Sequence, residues 1–159
     1  MKFNLQGGMP ETGPRALEAF QAGINALQRN DPGEGERQFL KAAGYAPGWW
    51  MPRARLLDIY RQAGRHDEAM RENLALCRLV PDEIRPNYYN SLGARYTEQH
   101  NPAEALKAFE KAIELNPRYA LPHANLASSY FKREEYDNAM REGQKALEID
   151  PNLPDGKYL

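Results

Sequence analysis

The stretch AEALKAFEKAIELNP, residues 103–117, is answered 34 residues later by DNAMREGQKALEIDP, residues 137–151. Ala105, Ala112 and Pro117 return as Ala139, Ala146 and Pro151. Within the first copy Leu106, Phe109, Ile113 and Leu115 recur at the three-and-four spacing of a helix with one apolar face. A helix restated at a fixed interval constrains the fold more than composition does. Each copy cannot bury its apolar face alone, so equal copies must stack on their neighbours.

Self-comparison extends the echo backwards. Starting points at Ala16, Trp50, Pro86 and Ala120 align four units (16–49, 50–83, 86–119, 120–153), with two extra residues, Ile84 and Arg85 or neighbours, before the third. The columns read Ala22, Leu56, Leu92, Leu126, then Gly23, Leu57, Gly93, Ala127, then Ala26, Tyr60, Tyr96, Tyr130. Small residues hold Gly35, Ala69, Ala105 and Ala139, and every unit closes on proline, at Pro47, Pro81, Pro117 and Pro151. Small residues let antiparallel helices approach, Phe39 and Phe109 fill the space beside them, and proline fixes each end.

The remaining signals agree on an all-α chain. Asp31-Pro32-x-Glu34 and Asn101-Pro102-x-Glu104 each place a capping side chain, a first-turn proline and a glutamate three residues on. No run alternates with the period of a strand. At 159 residues the chain fits one domain with a real core. A net charge of −1 suggests neither nucleic acid nor a membrane surface as partner. The single cysteine, Cys77, excludes an internal disulfide and fits a reducing compartment. No apolar run approaches a membrane span or a secretory signal, so a cytoplasmic protein is expected. Residues 1–15 read as a flexible tail or cloning remnant, and 154–159 as a short C-terminal tail.

These columns resemble the tetratricopeptide repeat family. The third unit is the nearest match, through Tyr89, Leu92, Gly93, Tyr96, Ala105, Phe109, Ala112 and Pro117. The fourth has Gly143 where an aromatic is usual, the second departs at Arg53, Asn73 and Leu76, and the first is Ala-rich. The resemblance implies an α-solenoid, a right-handed superhelix of antiparallel helix pairs. It further implies a concave groove, lined by the first helices, that binds a peptide or protein segment. By the same resemblance the groove residues are Phe20 and Ile24 in the first unit and Arg55, Asp58 and Arg61 in the second. The third unit supplies Asn87, Asn90 and Ser91, and the fourth Asn125 and Lys132. Asparagine carries donor and acceptor together and suits a peptide backbone, and arginine suits a carboxylate. Each such residue also has a bland reading as part of a solvated helix face.

The co-chaperone subset of the family grips a terminal carboxylate with two lysines, an arginine and two asparagines. The corresponding places hold Phe20, Ile24, Arg55, Asn87 and Ser91 in one frame, and Ala54, Asp58, Ser91, Leu121 and Asn125 in the other. Neither supplies the cationic cluster, which argues against chaperone C-terminal tails as the partner. No catalytic, metal or cofactor constellation is read: His66 and His100 lie in turns, His123 and Cys77 on packing faces, and Glu134-Glu135 in a turn. Of adjacent Trp49 and Trp50, one is expected in the core and the other partly exposed. Tyr136, Met140, Leu147 and Ile149 on the last helix lack a covering neighbour, which raises self-association as an alternative to a groove binder. A regulatory fragment of a multidomain protein is the other alternative. The expectation is a non-catalytic protein-interaction module.

Overall fold

A computed structural model describes residues 13–153. The expected tail segments 1–12 and 154–159 lie outside them. Among the described residues there are eight helices and no strand. They are α1 (Pro14–Gln28), α2 (Pro32–Tyr45), α3 (Trp50–Gln62), α4 (His66–Leu79), α5 (Arg85–Glu98), α6 (Pro102–Leu115), α7 (Ala120–Lys132) and α8 (Tyr136–Ile149). Helix α1 opens on Pro14, inside the stretch read as a tail, because proline is preorganised for the first helical position. His66, expected in a turn, instead opens α4.

The chain divides into two compact units at Pro81/Asp82. In unit 1, α1 pairs with α2, α3 pairs with α4, and α2 meets α3. In unit 2, α5 pairs with α6, α7 pairs with α8, and α6 meets α7. Each pair is closed by the same turn. The N–H groups of Asp31, Arg65, Asn101 and Glu135 donate to the carbonyls of Ala26, Tyr60, Tyr96 and Tyr130 at 2.8–3.0 Å. The residue just before each donor, Asn30, Gly64, His100 and Glu134, has positive φ, between 56° and 68°. This is the left-handed helix end that satisfies orphan carbonyls, reached once per pair. The closing prolines act through the residue before them. Ala46, Val80, Asn116 and Asp150 have ψ of 77°, 153°, 91° and 96°, out of the helical range as an X-Pro step requires. The expected caps are present: Asp31 Oδ1 accepts from Glu34 N at 2.9 Å, and Asn101 Oδ1 from Glu104 N at a longer 3.5 Å.

Within each pair, size is exchanged across the interface. Phe39 and Phe109 are fully buried against Gly23 and Gly93. A methyl built on Gly23 would sit 2.7 Å from the Phe39 ring, and one on Gly93 would sit closer still to Phe109. The second pair reverses the order, with Leu57 in the glycine column and Asn73 in the phenylalanine column. Asn73 is 0% exposed and neither of its amide atoms has a hydrogen-bond partner. A shorter side chain is what a leucine across the interface admits, but the amide is stranded as a result. Trp49 is buried and Trp50 only half-buried. Cys77 is buried on α4.

Candidate protein-interaction surfaces

The first helices of unit 2, α5 and α7, lie side by side. Their half-buried asparagines meet: Asn125 Nδ2 donates to Asn90 Oδ1 at 2.8 Å. Asn90 also hydrogen-bonds the side chain of Tyr119, whose phenol is pushed up by burial and partly brought back by that bond. The two asparagines fall at neighbouring register positions in consecutive repeats, so their pairing follows from the stacking of α7 on α5. One donor and one acceptor are used between them, which leaves the Asn125 carbonyl oxygen and its second N–H outside the pair. Tyr119, absent from the sequence expectations, is thus a neighbour of Asn90. Its signal was its place as N-cap of α7, one residue ahead of the helix. Around this pair Ser91 is half-buried and Asn87 and Lys132 are exposed.

In unit 1 the sequence-derived residues are less concentrated. Arg55 and Asp58 face each other at 3.9 Å with roughly half of each side chain exposed, at 47% and 55%. A pair so wet and so long is worth only about 0–1 kcal/mol, so Arg55 stays available to another carboxylate. Arg61 is exposed and Ile24 half-buried. Phe20 is half-buried: its ring centroid lies 4.7 Å from Trp49 and 5.4 Å from Phe39, packed against the buried Ala16, Ala19, Ala42 and Ala46 cluster. A polar network crosses from α2 to α3 and α4. Tyr60 Oη donates to Glu36 Oε1 at 3.1 Å, and Arg65 Nη1 donates to Glu36 Oε2 at 2.6 Å. Burial and the Glu36 carboxylate push the Tyr60 phenol up to about 12. That network is structural and locks one pair onto the next.

His123, on the packing face of α7, is 4% exposed. Its Nδ1 lies 2.7 Å from Glu142 Oε2 on α8, and Lys145 Nζ donates to Glu142 Oε1 at 2.9 Å. Burial alone would push the Glu142 carboxyl up. The hydrogen bonds from His123 and Lys145 outweigh it and hold the group below its ordinary value of 4.5. Beside them is a depression of about 320 Å³ lined by Ile113, Pro117, His123, Lys145, Glu148 and Ile149. On α8, Tyr136 and Met140 are exposed, at 54% and 67%, while Leu147 and Ile149 are half-buried. Among the described residues no group of His, Cys, Asp or Glu is placed to hold a metal, and no helix is long and apolar enough to cross a membrane.

Tetratricopeptide repeat sequences match at residues 86–119 and 120–153. The chain is 30% identical over 145 residues to Hsp70-Hsp90 organizing protein 2 of Arabidopsis thaliana, a match covering 90% of this chain and 22% of that protein. It is 37% identical over 76 residues to Superkiller complex protein 3 of Homo sapiens, covering 48% of this chain and 4% of that one. The chain thus spans under a quarter of the length of these curated relatives. Among solved structures a MamA protein superposes with a TM-score of 0.76 at 21% identity, over 89% of this chain and 76% of that one. Pseudomonas aeruginosa pilF superposes with a TM-score of 0.72 at 18% identity, over 89% of this chain and 64% of that one. The likeness shows an all-α solenoid of helix pairs, and residues 86–119 and 120–153 match two adjacent tetratricopeptide repeats.

Proposed function

We propose that this chain is a non-catalytic protein-interaction module that binds an extended segment of a partner protein across α5 and α7. The observation that supports this reading is the Asn90–Asn125 pair. Two amides, 2.8 Å apart, present a donor and an acceptor together, which is what a peptide backbone offers in return. Side-chain choice would then come from the exposed neighbours, with Lys132 favouring an acidic residue in the bound segment. On unit 1, Arg55 and Arg61 provide cations of the same preference.

The similarity to organizing proteins of Hsp70 and Hsp90 makes chaperone tails the natural competitor. The five places hold Phe20, Ile24, Arg55, Asn87 and Ser91 in one frame and Ala54, Asp58, Ser91, Leu121 and Asn125 in the other, so one frame offers a single cation and the other none. Phe20 packs against the core and Asp58 is an anion. A partner other than a chaperone C-terminus is therefore the favoured reading. The test is a random-peptide selection against the protein, run beside the Asn90→Ala/Asn125→Ala variant, with C-terminal tail peptides of Hsp70 and Hsp90 as a separate arm. A shared motif lost in the variant supports the reading. Equal selection by both proteins rejects the amide surface, and saturable tail binding rejects the exclusion of chaperones.

A further inference from the structure

One register position ties the two helices of a pair together by charge, in the second pair and again in the fourth. Arg53 Nη1 on α3 donates to Glu72 Oε2 on α4 at 2.9 Å, and His123 Nδ1 on α7 lies 2.7 Å from Glu142 Oε2 on α8. In each case the partners stand 19 residues apart. Each carboxylate ends the same four residues, Ala69-Met70-Arg71-Glu72 on α4 and Ala139-Met140-Arg141-Glu142 on α8. The first and third pairs hold Ala19 with Gln38 and Tyr89 with Ala108 at these positions, so they carry no such charge. The two ties differ in one respect. A guanidinium stays charged at any pH a protein tolerates, whereas imidazole gains and loses its proton near neutrality.

The surroundings of His123 make that difference count. The side chains of His123 and Glu142 are 6% and 10% exposed, against 29% and 13% for Arg53 and Glu72. Both ring nitrogens face an acceptor, Nδ1 the Glu142 carboxylate and Nε2 the Pro117 carbonyl at a longer 3.4 Å. A neutral ring has one N–H and turns a lone pair toward one of the two, so the imidazolium is the form that serves both. From α8, Lys145 Nζ and Arg141 Nε also approach Glu142 Oε1, at 2.9 and 3.7 Å, and Glu148 stands in the wall of the adjoining depression. From α6 and the turn after it come Ile113 and Pro117. Of the three cations on Glu142, His123 is the one that belongs to another helix. The depression of about 320 Å³ that His123 helps to line gives its proton a route to water.

We propose that His123 and Glu142 form a proton-operated latch between α7 and α8, closed while the imidazole is charged and released when it is neutral. Arg53 and Glu72 are then the same latch made permanent, between α3 and α4. The closed latch needs a charged ring and a charged carboxylate together, which fixes the sign at both ends. In acid it is lost as Glu142 takes up a proton, which its hydrogen bonds delay to below the ordinary 4.5. In alkali it is lost as His123 gives its proton up, leaving Glu142 paired by cations of its own helix. The local stability of the α7–α8 seam is therefore bell-shaped in pH. The latch is independent of the amide pair on α5 and α7.

The test is amide hydrogen exchange of the intact protein from about pH 5.5 to 9, with each rate divided by its intrinsic rate at that pH. The nitrogen-15 signals of the His123 ring are followed in the same samples. As the ring passes from imidazolium to neutral, protection across α7 and α8 should fall by about tenfold or more, the worth of one hydrogen bond to a charged group. His123→Gln keeps a polar side chain that does not titrate and should remove this pH dependence. Glu142→Gln should let the ring lose its proton at lower pH, a readout that a merely space-filling histidine would not move. A ring that keeps one charge state from about pH 5.5 to 9 overturns the proposal. So does a ring that titrates without a matching change in α7 and α8, or an equal fall in the His123→Gln protein.

Discussion

The packing of Phe39 on Gly23 makes a quantitative prediction about unit 1. A Cβ on residue 23 would stand 2.7 Å from Phe39 Cε1 and 2.9 Å from Cδ1 and Cζ. Carbon atoms rest at about 3.5–4 Å, so the ring must yield by roughly 0.8 Å or more. Phe39 is 0% exposed, so Gly23→Ala incurs an overpacking cost of about 1–3 kcal/mol. Alanine returns about 1 kcal/mol of helix propensity, which leaves a net loss of up to about 2 kcal/mol. In a Phe39→Leu background the ring edge is gone and the same Gly23→Ala change should be neutral or stabilising. The double-mutant cycle should therefore show a coupling of about 1–3 kcal/mol. Both tryptophans of the chain, Trp49 and Trp50, lie in unit 1, so urea unfolding followed by tryptophan fluorescence reports that unit. With a slope of about 1–3 kcal/mol per molar urea, a coupling of about 2 kcal/mol moves the midpoint by roughly 1 M. Additive effects within about 0.5 kcal/mol, or a Gly23→Ala protein more stable than wild type, would refute the interlocked packing.

Three other outcomes follow from particular side chains. Asn73→Leu should stabilise unit 1 by about 1–3 kcal/mol, because it removes a fully buried amide with no partner; a lower urea midpoint by tryptophan fluorescence would show that the amide is satisfied after all. Glu142, held below its ordinary value of 4.5, contributes stability that is present above that pH and is lost as pH falls through the lower folded-state value. Thermal melts of the wild type should therefore weaken below pH 4.5, while Glu142→Gln should be less stable by about 2 kcal/mol at pH 7 and flatter in acid; parallel pH profiles would remove Glu142 from the account. Glu134, at φ 61°, sits in a left-handed position that Gly64 fills in the second pair, so Glu134→Gly should raise the melting free energy by about 1 kcal/mol, and a drop in melting temperature would contradict the strain argument.

The repeat was legible because stacked copies make the same contact each time. Tyr60 and Tyr130 report one another's place, as do the four closing prolines, so register alone carried the fold to the helix pairs. What register could not carry was the identity of cross-helix partners. Asn90 and Asn125 were both read as groove residues, but their 2.8 Å contact depends on how far α7 advances over α5, a tertiary quantity. Phe20 was read as groove-facing by resemblance to the repeat, and what that reading did not carry is that its half-buried ring also packs on Trp49 and Phe39. Glu142 gave no sequence signal, since a glutamate on a polar-looking helix reads as solvated until His123 is placed 2.7 Å from it. The Leu57/Asn73 exchange was visible only as a departure from the repeat. Its meaning, a size swap that strands an amide, needed the packing.

The central claim is that α5 and α7 bind a partner segment through Asn90 and Asn125. Its most direct test is backbone amide chemical-shift mapping of isotope-labelled protein titrated with a peptide enriched by selection. The account predicts that the perturbed amides and side-chain NH₂ signals cluster on Asn87, Asn90, Ser91, Asn125 and Lys132, with those of α6 largely still. Perturbations confined to α6 and α8, or unchanged Asn90 and Asn125 side-chain signals at saturation, would contradict it.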